Sequence, residues 1–446
     1  MSRTTDMTIG NPGKLILKFS WPLILTNMGQ QLYMIVDAAI VGRGVGVKAL
    51  AAVGSADWIY WLILWTVIGL TQGFSVFISR YFGDKNYRDM NRTIAMSTVL
   101  CAIIGFIITL AGLMTARPLL AALKTPDDII GNASVYLLTM TSGTIIVSAY
   151  NMASSILRAV GDSKSPLIGM LIAAFLNICL DVIFVMVFRW GVFGAAFASV
   201  LSQLVAFFYC FVQIGKIENM KFNKGIWKPD FKMIRKLLVF SIPLSLQYMV
   251  IALGGIILQS TITLQGSFFV AGYTAVNKLY GLLECTAISL GTAFSTFFAQ
   301  NFGASNKERI KEGIKTGIKL CLAASVVISF IILLFGKQML MLFLDVTEKG
   351  GTQAMEIAWR YLWIMALWLA VLYIIYVYRS ILQAVGISLW SMVSGFGELA
   401  VRVIMGKAVI LWLGIDTLFY IEPMAWVAAL LFVMIPYYVG KNKYLS

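Results

Sequence analysis

The chain alternates between long apolar runs and short polar connections. A helix needs about 20 apolar residues to cross a hydrocarbon core about 30 Å thick, and these runs lack the strict alternation of a membrane β-barrel strand. The pattern therefore predicts an all-α membrane protein with twelve transmembrane helices. The predicted spans are residues 15–41, 50–78, 93–114, 133–157, 166–188, 192–215, 237–262, 271–298, 314–336, 354–382, 388–410 and 421–439.

The second half of the sequence repeats motifs of the first. Ser155-Ile-Leu-Arg-Ala-Val-Gly161 recurs as Ser380-Ile-Leu-Gln-Ala-Val-Gly386. Two shorter pairs recur in the same order at nearly the same separation, Gly73-Phe-Ser-Val-Phe with Ala293-Phe-Ser-Thr-Phe and Ser20-Trp-Pro-Leu with Ser241-Ile-Pro-Leu. A repeat at a fixed separation indicates duplication. We expect two pseudo-symmetric six-helix lobes, residues 1–215 and 237–446, joined by a basic cytoplasmic linker at 216–236. Because each lobe has an even number of spans, both enter the membrane with the same polarity and should leave a cleft between them.

Composition supports lipid as the solvent and argues against catalysis. The chain is 60% hydrophobic and only 12% charged, whereas soluble domains carry about 25% charged residues. It has no histidine, and its five cysteines all lie in apolar runs without CxxC spacing. No metal-ligand set, phosphate-binding glycine loop or nucleophile–base pair is visible. We expect no enzyme activity and no cofactor. A passive channel fits a duplicated, cleft-forming architecture less well than alternating access does.

The net charge of +15 points to the membrane and not to nucleic acid. Most of the 35 Lys and Arg residues lie in the connections that would be cytoplasmic if both termini were cytoplasmic. This bias is the usual determinant of orientation in the membrane. We expect a multi-pass protein of a bacterial or archaeal plasma membrane that is surrounded by lipid, has both termini in the cytoplasm and works as a monomer.

Two acids inside predicted spans are the main candidates for function. A charge at the centre of a span costs about 2.5–3.5 kcal/mol on insertion scales, so one that persists suggests a role. Asp37 shares a helix face with Gln30 and Tyr33, and Asp181 follows Asn177 by one turn. Ser199 on the next span is expected at a similar depth. The set Asp37, Asn177, Asp181 and Ser199 predicts an oxygen site for Na⁺, or a proton site, and a structural hydrogen-bonded network is the alternative. The repeat aligns Asp37 with Leu258 and Asp181 with Gly406, so the acids belong to one lobe.

Charges in the second lobe have a weaker pattern. Glu398 and Arg402, four residues apart, favour an ion pair on one helix over a substrate site. Lys278 and Glu284 are candidates either for the lining of a second-lobe cavity or for structural pairs. Arg360 is a further charge inside a span and, with Glu398 and Arg402, a further candidate for the lining of that cavity.

Several motifs together resemble the multidrug and toxic compound extrusion (MATE) exporters. They are Tyr33-Met-Ile-Val-Asp37 with Val41-Gly42, Leu157-Arg-Ala-Val-Gly-Asp162 with Pro166, Asn177-Ile-Cys-Leu-Asp181, Gly191-Val-Phe-Gly-Ala-Ala-Phe-Ala-Ser199, Gln300-Asn-Phe-Gly303 and Glu422-Pro-Met-Ala-Trp426. The resemblance implies a twelve-helix antiporter that exports lipophilic organic cations, including drugs, in exchange for H⁺ or Na⁺.

The same resemblance implies site residues. It places the coupling cation at the matching positions Asp37, Asn177, Asp181 and Ser199. Tyr33 matches a tyrosine of that network, and Asn151 matches a further polar member. One branch of the family has an acid on the seventh helix, where this chain has Ile251, so the resemblance predicts no second-lobe site of that type. A flippase for a lipid-linked saccharide or another amphiphile is the alternative function, and it would require a strongly basic cavity.

Overall fold

The computed structural model describes residues 4–222, 224–347 and 350–444. About 88% of the described residues are helical, and they contain no β-strand. Four shorter segments adjoin or connect the α-helices: π-helical turns at Val182–Val187 and Met405–Val409, and 3₁₀-helices at Lys224–Trp227 and Ile415–Tyr420. The α-helices in chain order are α1 (Pro12–Gly44), α2 (Val47–Gly83), α3 (Tyr87–Ala122), α4 (Asp127–Ser142), α5 (Thr144–Ala159), α6 (Lys164–Asp181), α7 (Gly191–Gly215), α8 (Phe231–Thr263), α9 (Ser267–Gly303), α10 (Lys307–Leu340), α11 (Gly351–Ala384), α12 (Leu389–Ile404), α13 (Ile410–Leu413) and α14 (Ile421–Tyr444).

All twelve predicted spans fall on these helices. In the described part of the chain, nine helical segments are long and apolar enough to cross a membrane on their own. The bent pair α4–α5 makes a tenth. The remaining two predicted spans are α1, whose middle contains Asn27, Gln30 and Gln31, and the 16-residue α12 with its π-helical continuation. The prediction of an all-helical, twelve-span chain is confirmed in outline.

The start of the third span is built in the same way in both halves. Asn86 precedes α3 and Asn306 precedes α10, and each side chain accepts the backbone N–H three residues later, at 3.1 and 3.3 Å. The residue before each asparagine has a positive φ, 57° at Lys85 and 53° at Ser305. Asparagine is among the best N-cap residues because its oxygen satisfies one of the free N–H groups of the first turn. The repeat therefore extends to the geometry of the turns.

The chain divides into two compact units. Unit 1 contains residues 4–6 and Trp21–Ser245, and unit 2 contains Met7–Ser20 and the described residues from Leu246 onward. Unit 1 thus includes the beginning of α8, and unit 2 includes the beginning of α1. The sequence-based division at a linker of residues 216–236 stays a prediction, and residue 223 of that linker lies outside the described residues.

Equivalent helices pack in the same way within each unit. In unit 1, α2 packs on α3, α4 and α5, and α7 packs on α5 and α6. In unit 2, α9 and α10 pack on α11, and α14 packs on α11 and α12. The units differ at the fourth span, which bends by 46° at Gly143 in unit 1 and is the continuous α11 in unit 2. Gly143 packs against the Val200 side chain, so a larger residue at this bend would clash.

Small residues allow the close helix packing. The core that surrounds the ends of α1, α2, α4 and α7 in unit 1 is rich in alanine and valine. In unit 2, a Cβ atom on Gly272 would lie 2.7 Å from the Ala354 carbonyl oxygen, so α9 and α11 can approach this closely only with glycine there. Small interface residues are typical of helices that associate in lipid, where packing replaces the hydrophobic effect as the driving force.

Candidate cation-binding site

Two helices of unit 1 carry the candidate acids. Asp37 lies in the last two turns of α1, and Asp181 is the last residue of α6. A π-helical turn begins at the next residue, Val182, and within it the Phe188 N–H donates to the Ile183 carbonyl oxygen at 2.8 Å. Such wide turns interrupt α-helices and occur frequently at functional sites. The backbone irregularity therefore coincides with the acid that the sequence singles out.

The predicted polar residues converge. Asp181 and Asn177 are buried, with 0% and 2% of their surfaces exposed, and the Asn177 amide nitrogen donates to the Ser199 hydroxyl oxygen at 3.2 Å. This bond joins α6 to α7. The carboxyl groups of Asp37 and Asp181 are close enough to interact directly, and the Tyr33 hydroxyl interacts electrostatically with both.

Four acceptor oxygens in this cluster have no hydrogen-bond donor among the described residues. They are one oxygen of Asp37, both carboxyl oxygens of Asp181 and the side-chain oxygen of Asn177. The ion pairs of the described residues also include no Lys or Arg bound to either acid. A buried carboxylate without a partner costs several kcal/mol. The cluster therefore has the chemistry of a site that is completed by a proton or a small cation.

The atoms of this cluster that could bind a cation are oxygens. No group of three or more His, Cys, Asp or Glu side chains in the described ranges is placed to hold a metal ion. The oxygens available here come from two carboxylates, one amide and one hydroxyl. Hard cations prefer oxygen ligands of these types.

Two further residues of the predicted network lie on α5 and α1. The Asn151 amide nitrogen on α5 donates to the Val147 carbonyl oxygen of its own helix at 2.9 Å. Gln30 is partly buried on α1, two turns before Asp37. Their participation in a coupling network stays a prediction.

Sequence reasoning did not single out three further members of the neighbourhood. Tyr60 and Asp57 on α2 and Tyr136 on α4 interact electrostatically with Tyr33, and Tyr136 also interacts with Asp37. Tyr60 and Tyr136 are buried in the alanine-rich core around the acids. Spacing along one helix cannot reveal such neighbours, because they come from other helices.

Unit 2 contains a buried network of paired charges. Arg402 on α12 binds the Glu422 carboxylate with two nitrogens at 3.1 and 2.9 Å, and it lies 3.4 Å from Glu398 on its own helix. Arg379 on α11 binds Glu398 at 2.6 Å and also donates to the Ser394 hydroxyl. All four charged residues are buried. The ion pair expected between Glu398 and Arg402 is present, but it belongs to a larger network.

Other second-lobe candidates lie in different surroundings. Arg360 forms a two-bond pair with Asp416 at 2.8 and 3.0 Å, and both side chains are about half exposed. Lys278 is exposed on α9. Glu284 interacts electrostatically with Glu422, Glu398 and Arg402. A cavity lined by these residues stays a prediction.

Arg379 and Glu422 were missed as candidate site residues. Arg379 lies near the end of the tenth predicted span and looks like one more cytoplasmic basic residue. Glu422 begins the last span and is visible only as part of the Glu422-Pro-Met-Ala-Trp426 motif. In the sequence, both residues appear only as charges near the ends of spans. The structure shows that Arg379 binds Glu398 and that Glu422 binds Arg402, both of which lie on α12.

Comparison with known proteins identifies the class of protein to which this chain belongs. The model of the MatE family matches residues 22–183 and again residues 243–406, so it covers most of the chain and starts at equivalent points of the two halves. The chain is 32% identical over 354 residues to the probable multidrug resistance protein YpnP of Bacillus subtilis, covering 79% of each protein.

Solved structures share the fold. The crystal structure of a MATE protein in complex with MaL6 has a TM-score of 0.89 at 20% identity, and the match covers 100% of this chain and 99% of that one. A MOP superfamily transporter from Pyrococcus furiosus has a TM-score of 0.88 at 22% identity and covers 99% and 98% of the two chains. The binding pocket of that transporter has a reverse polarity, which suggests a different function for that protein.

The chain belongs to the MATE family of membrane transporters. It is a multi-pass protein of the plasma membrane and a transporter, not an enzyme.

Proposed function

We propose that this transporter exports lipophilic organic cations, including drugs, in exchange for H⁺ or Na⁺ that binds at Asp37 and Asp181. The observation that carries the proposal is the set of four acceptor oxygens without a donor among the described residues. The relative from Bacillus subtilis is named a probable multidrug resistance protein, which supports drugs as substrates. We further propose that the protein works as a monomer with both termini in the cytoplasm.

Coupling follows from differential affinity. A ligand shifts a conformational equilibrium only by the difference between its affinities for the two states. The organic cation binds the state in which the acids are unoccupied, and a proton or Na⁺ at Asp37 and Asp181 favours the state that releases it. Asn177 and Ser199 supply neutral oxygens that suit Na⁺, and the two neighbouring carboxyl groups suit a shared proton.

Reconstituted vesicles test the proposal directly. Purified protein is placed in liposomes, a pH gradient and a Na⁺ gradient are imposed separately, and the movement of a fluorescent lipophilic cation is followed. We expect one gradient to drive transport, and that result identifies the coupling ion. Asp37→Asn and Asp181→Asn should each lower gradient-driven transport at least about tenfold, because the amide cannot supply the negative charge.

The exposed acid Asp84 at the end of α2 provides the matched control. Asp84→Asn makes the same chemical change in the same unit and should transport at the wild-type rate. Unchanged thermal unfolding of the Asp37 and Asp181 variants shows that they fold. Wild-type transport by both of these variants would contradict the site assignment.

The flippase alternative predicts a different pattern. A carrier of lipid-linked phosphosaccharides requires unpaired basic side chains, whereas the buried Arg379 and Arg402 are already paired with Glu398 and Glu422. Gradient-independent translocation of a fluorescent lipid-linked saccharide, without transport of organic cations, would favour the flippase.

A further inference from the structure

Helix α10 of unit 2 carries four exposed lysines in a single stripe. Lys307, Lys311, Lys315 and Lys319 follow one another at intervals of four residues, and all four are exposed. An α-helix has 3.6 residues per turn, so successive members of the stripe differ by only about 40° around the axis. The four ammonium groups therefore face one side of the helix.

The same side of α10 continues as an apolar surface. Val326 and Phe330 are 65% and 62% exposed, and they lie on the line extended from Lys315 and Lys319. In α10, only 17% of the most apolar stretch of 18 residues is buried. The same share in the neighbouring α9 is 67%. An exposed apolar helix surface in a membrane transporter faces lipid tails. The lysine stripe is thus the polar continuation of a lipid-facing surface.

The length of α10 puts the stripe at the level of the lipid headgroups. Its 34 residues extend about 51 Å, whereas the hydrocarbon core is about 30 Å thick. If the apolar stretch after Leu320 fills the core, Lys319 and Lys315 lie just outside it, and Lys311 and Lys307 lie farther from the membrane.

The local charge is strongly positive. Glu308 binds Lys311 at 2.8 Å, and Glu312 is the other acid in the stretch of α10 from Lys307 to Lys319. Arg309 adds a further positive charge, so the stretch has five basic and two acidic residues. On α1, Gly13 packs against Thr316, which brings the exposed Lys14 and Lys18 to the same part of unit 2.

The first half shows that the fold does not require these lysines. The separation of 220 residues aligns the stripe with Tyr87, Asn91, Ala95 and Val99 of α3, none of which is basic. Asn91 and Ala95 are buried, and the Asn91 side chain donates to the Asn219 carbonyl oxygen of the connection before α8. The corresponding positions Lys311 and Lys315 of α10 are exposed.

We propose that the lysine stripe of α10 is a docking surface for anionic phospholipid headgroups, which it recognises by charge at the membrane surface. Phospholipids are suitable partners because the stripe continues a lipid-facing surface and because basic residues near an anionic membrane surface are attracted to it. The proposal is independent of the transported substrate and of the coupling ion.

Spin-labelled lipids measure this preference. The protein is reconstituted in phosphatidylcholine with a trace of either spin-labelled phosphatidylglycerol or spin-labelled phosphatidylcholine, and the motionally restricted fraction of each gives a selectivity ratio. The wild-type protein should favour phosphatidylglycerol, and high salt should reduce this preference. Lys315→Gln/Lys319→Gln should lower the relative affinity by more than about fivefold, because a single charge at headgroup level already contributes about that factor. Lys319→Gln alone should have an intermediate effect and keeps the test valid if the double variant does not fold.

Two controls separate headgroup binding from general effects of charge. Lys228→Gln/Lys232→Gln removes two exposed lysines with the same separation in the sequence, one just before α8 and one in its first turn, and should leave most of the preference intact. Lys315→Arg/Lys319→Arg should retain it. A wild-type ratio of one, or an equal loss in the two glutamine double variants, would overturn the proposal. Displacement of the labelled lipid by water-soluble glycerol phosphate would point to a small phosphate site and would overturn it as well.

Discussion

Equivalent helix segments in the two halves of the transporter carry opposite charges. Each half has a π-helical turn at the end of its fifth span, Val182–Val187 and Met405–Val409. The separation of 225 residues aligns Asp181 with Gly406, and it aligns Asn177 with Arg402. In the first half the side chains offer oxygens that lack donors among the described residues, whereas in the second half a guanidinium group is bound by two glutamates.

The two halves of the duplicated fold therefore differ in how their buried charges are neutralised. The second half has its positive charge built in, and it is neutralised by Glu398 and Glu422. The first half has negative charge and neutral oxygens at the corresponding place, and under the proposed function its positive charge is the exchangeable coupling ion. A permanent ion pair favours a rigid structure, and an incomplete site favours response to an ion. Four experiments test this contrast.

The largest expected effect is on the stability of unit 2. Arg402→Gln leaves Glu398 and Glu422 without their shared cation, and removing one partner of a buried pair costs about 3–5 kcal/mol. We expect this loss in the free energy of unfolding, measured in detergent by tryptophan fluorescence. Asp181→Asn, at the incomplete site, should not destabilise the protein. A loss below about 1 kcal/mol for Arg402→Gln would show that the network is dispensable.

Introducing an acid into the second half should lower the free energy of unfolding. Gly406→Asp puts a carboxylate at the position equivalent to Asp181, where a Cβ atom would be 3.3 Å from the Thr261 hydroxyl oxygen. The cost of a charge within a span predicts a loss of about 2.5–3.5 kcal/mol in unfolding free energy. Gly406→Ala is the control for the added Cβ atom and should cost much less. Equal stability of the Asp and Ala variants would mean that the second half can also hold an unpaired acid.

A smaller effect is expected at the hydroxyl that holds Asn177. Ser199→Ala removes the bond at 3.2 Å, and one hydrogen bond contributes about 1 kcal/mol. The half-maximal concentration of the coupling ion in vesicle transport should rise about fivefold. Ser202→Ala on the same helix is the matched control, because that hydroxyl donates only to the Ala198 carbonyl oxygen of its own helix. An equal shift in both variants would argue against a role for Ser199 at the site.

The smallest effect should be at the exposed ion pair of unit 2. Arg360→Gln breaks the pair with Asp416, but both side chains are about half exposed, so solvent screens the charges. We expect the unfolding free energy to fall by less than about 1 kcal/mol. A loss as large as that of Arg402→Gln would mean that burial does not explain the difference between the two pairs.

Much of the helical layout could be read from the sequence, because lipid imposes a length and a polarity on each span. The duplication was visible for a related reason, since motifs such as Ser155–Gly161 must rebuild the same turn in the second half. The grouping of Asp37, Tyr33, Asn177, Asp181 and Ser199 could also be predicted, because acids inside apolar runs are costly and conspicuous. Their role as a cation site is the proposal that the transport experiments above test.

Interactions between side chains of different helices could not be predicted from the sequence. Nothing in the spacing shows that Arg379 reaches Glu398, or that Arg402 prefers Glu422, twenty residues away, to its neighbour on the same helix. The exchange of the first parts of α1 and α8 between the two compact units was likewise invisible in the hydrophobic pattern.

The sequence by itself determined that this protein is a duplicated, helical membrane protein with acids inside the apolar spans of its first half, because burial in lipid restricts which residues each span can contain. Only the tertiary structure decided which charges are paired. Pairing depends on distances between side chains of different helices, and residues such as Glu398 and Asp181 differ not in chemistry but in whether a guanidinium group lies within reach.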